Sequence, residues 1–258
     1  MHGQIILVNG TSGSGKSTTA ELFQKRSDDY WLLYGIDHFL AGTQPAKFGH
    51  HGPRAHEGIY AHPADPADPG GPLRWSFGPN GTKAFAALHE WIAGASRAGC
   101  NIVFDHLLLT DPPVLEDCVR RLAGLPVLLV TLKPPFEVLE RRVAERQMDK
   151  KIPVDLLGED AARKIVDRLT RLRPWFYQSI YANDIADLEV DTSVHAPEAV
   201  CAMIDARLAQ GVQIALRVLD VADGEGVYVQ AHVGHVARGD FLDPLRERLA
   251  VLVDVLDR

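Results

Sequence analysis

A chain of 258 residues is long enough for one large α/β domain, or for a core of about 200 residues with an appendage. Hydrophobic residues make up 46% and charged residues 24%, as in an ordinary globular protein, and a formal net charge of -7 argues against a nucleic-acid or anionic-membrane partner. Cys100, Cys118 and Cys201 are odd in number and form no Cys-x-x-Cys pair, which argues against a disulfide framework or a cysteine zinc site.

The first element in chain order is Ile5–Val8, a continuous apolar run that reads as a buried parallel strand. It is too short for a signal segment, and nothing later approaches the ~20 apolar residues of a membrane span, so a cytoplasmic protein is expected. Gly10-Thr11-Ser12-Gly13-Ser14-Gly15-Lys16-Ser17 follows and leads into a predicted helix over Lys16–Arg26. Trp31–Tyr34 is a short second strand that runs out through Gly35-Ile36 to Asp37.

From Gly42 to Gly81, fifteen of forty residues are Gly or Pro, with Asp-Pro at 65–66 and 68–69. That composition predicts an extended acceptor loop or lid without long helices or strands. A helix over Thr82–Arg97 then places Phe85, Leu88, Trp91 and Ile92 on one face. Strands are predicted at Asn101–Phe104, Val127–Leu132 and Leu188–Val190, with helices at Pro113–Leu122, Phe136–Met148, Val154–Tyr181 and Pro197–Leu208. This alternation predicts an α/β fold, a parallel sheet with helices on both faces.

Beyond Gly211 the character changes. Val212, Ile214, Leu216 and Val218 alternate with other residues, as do Val227, Val229, Ala231 and Val233 past the turn Asp223-Gly224-Glu225-Gly226. A β-hairpin is expected there, followed by an amphipathic helix over Phe241–Leu256. The division is therefore a core over 1–208, with the acceptor loop at 42–81 and arginine lid helices at 136–182, and an extension over 209–258. Three roles are open to the extension: a sheet edge, a homodimer contact or part of the acceptor site.

The glycine-rich run is a P-loop. Its glycines admit conformations that let successive N–H groups converge on phosphate oxygens, and the helix N-terminus adds positive potential. Residues 10–18, Gly10 through Thr18, are the expected nucleotide contacts: Lys16 reaches the β- and γ-phosphates and the Ser17 hydroxyl coordinates Mg²⁺. ATP is the expected nucleotide, because no Asn-Lys-x-Asp sequence supports guanine.

A parallel sheet places the rest of such a site at the carboxyl ends of its strands. Asp37 and Asp105 occupy two of these ends. One is expected to take the acceptor hydroxyl's proton and the other to be the acidic residue near Mg²⁺. His38 and His106, each following one of these aspartates, are expected to line the acceptor pocket. Arg142 and Arg146 lie four apart and share a helix face, which suits a γ-phosphoryl group in flight, although a solvated face is equally open at this point. The histidines at 50, 51, 56 and 62, and at 232 and 235, show only a vague metal-ligand spacing and have no nearby cysteine, so a metal is not expected there.

These residues together resemble the chloramphenicol phosphotransferase-like kinases. The similarity is carried by Ile5-Ile6-Leu7-Val8-Asn9-Gly10 and by Tyr30-Trp31-Leu32-Leu33-Tyr34-Gly35-Ile36-Asp37, which matches that family's Trp-Leu-x-x-Gly-Val-Asp segment. Ile102-Val103-Phe104-Asp105 before Leu107-Leu108-Leu109, Glu140-x-Arg142-x-x-x-Arg146 and Leu188-Glu189-Val190-Asp191-Thr192 extend it over about residues 4–205. The resemblance implies a nucleoside-monophosphate-kinase-type fold with a five-stranded parallel sheet. It implies Asp37 as the base, with Lys16, Arg142 and Arg146 stabilising the transferring phosphoryl group. The chain after about Gly211 has no counterpart in the family pattern.

The leading expectation is thus an ATP-dependent O-phosphotransferase acting on a hydroxyl of a small molecule, such as an antibiotic or a related metabolite. A toxin-like kinase acting on a nucleotide sugar and a nucleotide-dependent switch or binding module are the alternatives.

Overall fold

The computed structural model describes residues 2–43, 45–49, 52–145, 159–210, 215–219 and 228–232. Its centre is a five-stranded parallel sheet made of β1 (Ile5–Asn9), β2 (Trp31–Gly35), β5 (Asn101–His106), β6 (Val127–Leu132) and β7 (Leu188–Val190), in the order β2-β5-β1-β6-β7. The helices are α1 (Lys16–Arg26), α2 (Ile36–Thr43), α3 (Pro79–Arg97), α4 (Val114–Arg121), α5 (Phe136–Glu145), α6 (Glu159–Ile180) and α7 (Pro197–Ala209). The predicted core strands and the helices between them are observed, with α2 as an addition that the sequence reading lacked.

The continuous apolar strands are explained by burial on both faces. Alternate residues point to opposite sides of a strand. Ile5, Leu7, Ile102, Phe104, Val127 and Leu129 therefore pack under α3, α4 and α6. Ile6, Val8, Val103, Leu128 and Val130 meet Ala20 and Phe23 of α1 and Val200, Cys201 and Ile204 of α7. Trp91 departs from the expected buried stripe of α3. Phe85, Leu88 and Ile92 are inside, but Trp91 falls at the rim, 45% exposed, with its ring 5.4 Å from Tyr34.

The Gly/Pro-rich segment is more ordered than its composition predicts. It contains the C-terminal part of α2, two 3₁₀ turns (Ala46–Phe48 and Ala55–Glu57) and an antiparallel pair, β3 (Ile59–Pro63) with β4 (Leu73–Phe77). The reason is local. Ile59 (0% exposed), Leu73 (8%) and Trp75 (6%) give the hairpin one apolar face, while the glycines and prolines concentrate in its turn and flanks. Trp75 meets Phe176 of α6 edge-on at 4.9 Å and Phe77 stacks on Phe85 of α3 at 4.8 Å, so both aromatic residues belong to the core. Arg171 of α6 closes the turn through the carbonyls of Gly71 and Pro69.

In the extension, β8 (Ala215–Leu219) pairs antiparallel with β9 (Tyr228–His232), with Leu216 opposite Ala231 and Val218 opposite Val229, as the alternation predicted. The expected helix over Phe241–Leu256 lies outside the described residues, as do Arg146 and the histidines at 50, 51 and 235.

Two glycines of α3 separate packing from propensity. A Cβ at Gly94 would meet nothing within 4 Å, whereas one at Gly81 would lie 2.6 Å from the Gly58 carbonyl oxygen, where the helix receives the β3–β4 hairpin. Gly94→Ala is expected to raise the unfolding free energy by about 0.5–1 kcal/mol through helix propensity. Gly81→Ala is expected to lower it by about 1–3 kcal/mol through overpacking, and urea unfolding of both variants checks the opposite signs.

Candidate active site

The cradle begins where β1 ends. Gly10, Gly13 and Gly15 have φ of 151°, 91° and 95°, in the region that favours glycine, so the loop can reverse direction twice within six residues. An added Cβ at Gly13 would also be tightly placed, 3.2 Å from Val143 Cγ2 and 3.4 Å from Leu139 Cδ2. Helix α1 has no side-chain cap, which leaves its first N–H groups to an anion in the loop. Lys16 folds back over this concavity and donates to the Thr11 carbonyl at 3.1 Å. Ser12 and Thr18 are exposed, whereas Ser14 is fully buried.

Strand register brings the next groups in. Val8 of β1 and Gly35 of β2 both lie level with Asp105 of β5. Ser17 Oγ donates to Asp105 Oδ2 at 2.5 Å, and Lys16 Nζ lies 3.8 Å from Asp105 Oδ1. Asp105 is 8% exposed, and its Oδ1 accepts no hydrogen bond among the described residues. A buried carboxylate oxygen with spare capacity, next to a serine hydroxyl at the head of a helix, is the hard-oxygen donor set that Mg²⁺ prefers. The residues fit the ion.

Asp37 and His38 occupy the first turn of α2, two and three residues beyond Gly35, and both are exposed. The structure therefore brings Asp37 to the same sheet edge as Asp105. His38 packs beside Tyr34 with ring centroids 5.7 Å apart, and its Nδ1 lies 3.7 Å from where a Gly35 Cβ would stand. His106 does not join them. Its ring is 0% exposed and points under α3, with Nε2 3.1 Å from His89 Nε2. The correction follows from strand alternation: with Asp105 turned toward α1, His106 must turn toward α3.

Arg142 also differs from its expected place. One η-nitrogen donates to the Gly13 carbonyl (3.1 Å) and to Thr192 Oγ1 (3.0 Å), and the other donates to the Thr192 carbonyl (2.6 Å). Thr192 Oγ1 in turn donates to the Ser14 carbonyl at 2.9 Å. The guanidinium thus braces the loop's backbone. It lines a cleft of about 380 Å³ with Gly13, Gly15, Thr18, His195 and Pro197.

Tyr181, at the end of α6, does the same at the loop's start. Its hydroxyl accepts from Thr11 N–H at 3.2 Å and donates to the Leu132 carbonyl at 2.6 Å. Neither Thr192 nor Tyr181 stood out as a site residue in the sequence. Thr192 carried a signal only as the end of the Leu188–Thr192 stretch, and Tyr181 as the last residue of a predicted helix.

The family model for chloramphenicol phosphotransferase-like proteins matches residues 3–209. The chain belongs to that family. As a member it is a nucleotide-binding P-loop phosphotransferase of kinase type. Among solved structures, the family member is similar to the APS kinase of Mycobacterium tuberculosis in complex with AMPPNP and APS, with a TM-score of 0.49, 15% identity, and 81% of this chain and 98% of that one covered. A sugar kinase from Janibacter sp. HTCC2649 gives 0.47 and 18%, covering 80% and 95%, and the Deinococcus radiodurans tunicamycin resistance protein gives 0.42 and 18%, covering 80% and 95%. Among curated proteins no match is found. No helix among the described residues is long and apolar enough to cross a membrane.

Burial pushes the Tyr181 hydroxyl up to about 12, against a partial offset from the Thr11 N–H. A raised acid stabilises the folded state below its ordinary value, near 10, and that contribution is lost as pH rises through about 12. Ultraviolet titration of the kinase-family protein is expected to show one late tyrosine that Tyr181→Phe removes. The same variant is expected to lose about 1–3 kcal/mol of stability at neutral pH, because Thr11 N–H and the Leu132 carbonyl lose their partner.

Proposed function

We propose that the protein is a cytoplasmic, ATP- and Mg²⁺-dependent kinase that transfers the γ-phosphate to a hydroxyl of a small molecule, an antibiotic or a related metabolite. The observation that carries this reading is the meeting of Lys16, Ser17 and Asp105 at the floor of the glycine cradle, with Asp37 exposed at the next strand exit. A switch or motor needs the first three groups. An exposed carboxylate at the adjacent strand exit is what a hydroxyl acceptor requires in addition.

On this reading the loop N–H groups hold the β- and γ-phosphates. Lys16 Nζ moves from the Thr11 carbonyl to the phosphate oxygens, where it balances charge in the transition state. Ser17 and Asp105 would hold Mg²⁺, which when bound neutralises charge on the phosphate oxygens. The cleft between the loop, Arg142 and Pro197 suits the nucleotide base. Asp37 accepts the proton of the acceptor hydroxyl as its oxygen attacks the γ-phosphorus, and ADP leaves with the bridging oxygen. Arg142 serves this sequence by holding Gly13 in place.

A screen of ATP-dependent transfer to hydroxylated antibiotics and nucleosides identifies the acceptor. With that acceptor, Asp37→Asn is expected to lower the transfer rate by about 10²–10⁴-fold while leaving ATP affinity unchanged. Transfer at the wild-type rate by this variant would remove Asp37 from the chemistry.

A further inference from the structure

Beneath the sheet, a largely buried polar relay remains outside the chemistry above. His89 of α3 and His106 at the end of β5 are both 0% exposed, and Asp117 of α4 stands at the end of the chain, partly exposed. The direction of each hydrogen bond is fixed. Leu107 N–H donates to His106 Nδ1 at 2.7 Å, so a neutral His106 carries its proton on Nε2. That proton faces His89 Nε2 at 3.1 Å, which must accept. His89 therefore carries its own proton on Nδ1 and donates it to Asp117 Oδ2 at 2.7 Å. Arg121 holds the carboxylate through bonds of 2.9 Å and also reaches Glu90, the neighbour of His89, at 2.7 Å. Every nitrogen of both imidazoles is satisfied, and burial holds both rings neutral, His106 well below the ordinary histidine range and His89 below it.

The ligand atoms of His89, His106 and Cys118 also lie within 4.8 Å of one another, a spacing a soft metal could bridge. The hydrogen-bond polarity opposes it. A metal on His106 Nε2 would move the ring proton to Nδ1, 2.7 Å from Leu107 N–H, and set two donors against each other. Both imidazoles are fully satisfied as a relay.

What the relay anchors is the exit of β5. His106 shares a peptide bond with Asp105, whose side chain leaves the opposite face, so a rotation at His106 turns the carboxylate as well. Two peptides further on, Leu108 N–H donates to Asn9 Oδ1 at 2.9 Å, which ties this exit to the residue preceding the P-loop. We propose that the His106–His89–Asp117 relay is a positioning device that clamps the end of β5 to α3 and α4, and so presents Asp105 to Mg²⁺ and Ser17. This rests on the reading of Asp105 and Ser17 as the Mg²⁺ ligands.

The test measures ATP binding by calorimetry with and without Mg²⁺, using the full chain, and needs no acceptor. His89→Leu removes the middle of the relay, and Asp117→Leu removes its partly exposed end should the first variant fail to fold. Both are expected to raise the half-saturating Mg²⁺ concentration about tenfold, the low end for groups that orient a metal ligand. ATP affinity without Mg²⁺ should stay unchanged, and His89→Gln, whose amide can both accept and donate, should restore the response. A Mg²⁺-responsive wild type whose response both leucine variants keep, with only a lowered melting temperature, overturns the relay. So does stoichiometric zinc uptake by the wild type that His89→Leu abolishes. Wild-type ATP affinity that ignores Mg²⁺ overturns instead the assignment of Ser17 and Asp105.

Discussion

Adjacent parallel strands that end level with one another leave their exits at a common edge, and this register is what the rest of the structure depends on. Val8 of β1 stands beside Asp105 of β5, and Gly35 of β2 stands on the other side of Asp105. The P-loop leaves from the first of these strands, the carboxylate near Ser17 from the second, and α2 with Asp37 from the third. No long side chain is needed to bring them together. A slip of one residue in β5 would turn Asp105 under α3 and put His106 or Phe104 against Ser17, because alternate residues face opposite ways. Burial of Ile102 and Phe104 on one face and Val103 on the other sets that register. The apolar pattern of a strand thereby fixes the aim of a polar group at its end.

The glycine loop needs a second constraint. Freedom to adopt positive φ lets Gly10, Gly13 and Gly15 form the cradle, and the same freedom would let it collapse. Bonds from outside hold it. Tyr181 of α6 takes the Thr11 N–H, Arg142 of α5 takes the Gly13 carbonyl, and Thr192 beyond β7 takes the Ser14 carbonyl. Thr11, Gly13 and Ser14 of the cradle are thus tied to three residues far away in the chain. The head of α1 has no side-chain cap, the arrangement in which a helix N-terminus receives an anion. Preorganisation of this kind lowers the cost of ordering the loop when phosphate arrives.

Much of this was legible in the sequence, and the reasons are physical. Strands buried on both faces read as continuous apolar runs, so β1, β5, β6 and β7 stood out within two residues of their ends. The P-loop was legible because its chemistry needs glycine and lysine at fixed spacing. Arg142 was legible as a residue and not as a contact, since helical spacing gives a face without saying what lies opposite. His106 was misplaced by treating sequence adjacency to Asp105 as spatial adjacency, when on a strand adjacent side chains are the ones that point apart. Its partner His89 carried no signal at all, sitting in the middle of an amphipathic helix where the stripe of Phe85, Leu88 and Ile92 accounted for the pattern.

The Gly/Pro-rich segment shows where composition misleads. Fifteen glycines and prolines in forty residues predict a loop if averaged over the whole stretch, yet they cluster between and around two runs, Ile59–Pro63 and Leu73–Phe77, that pair. A two-stranded hairpin is marginal alone, and this one persists because Ile59, Leu73 and Trp75 bury against α3 and α6. Three of its glycines are there for contact more than for flexibility: a Cβ on Gly58, Gly78 or Gly81 would fall within 2.6 Å of a backbone atom across the junction. The turn is held in turn by Arg171 of α6. The β3–β4 hairpin therefore leans on the same helix, α6, that delivers Tyr181 to the start of the phosphate loop. One helix thus holds both the hairpin and the phosphate loop, so the distance between them follows from the packing of α6 on the sheet.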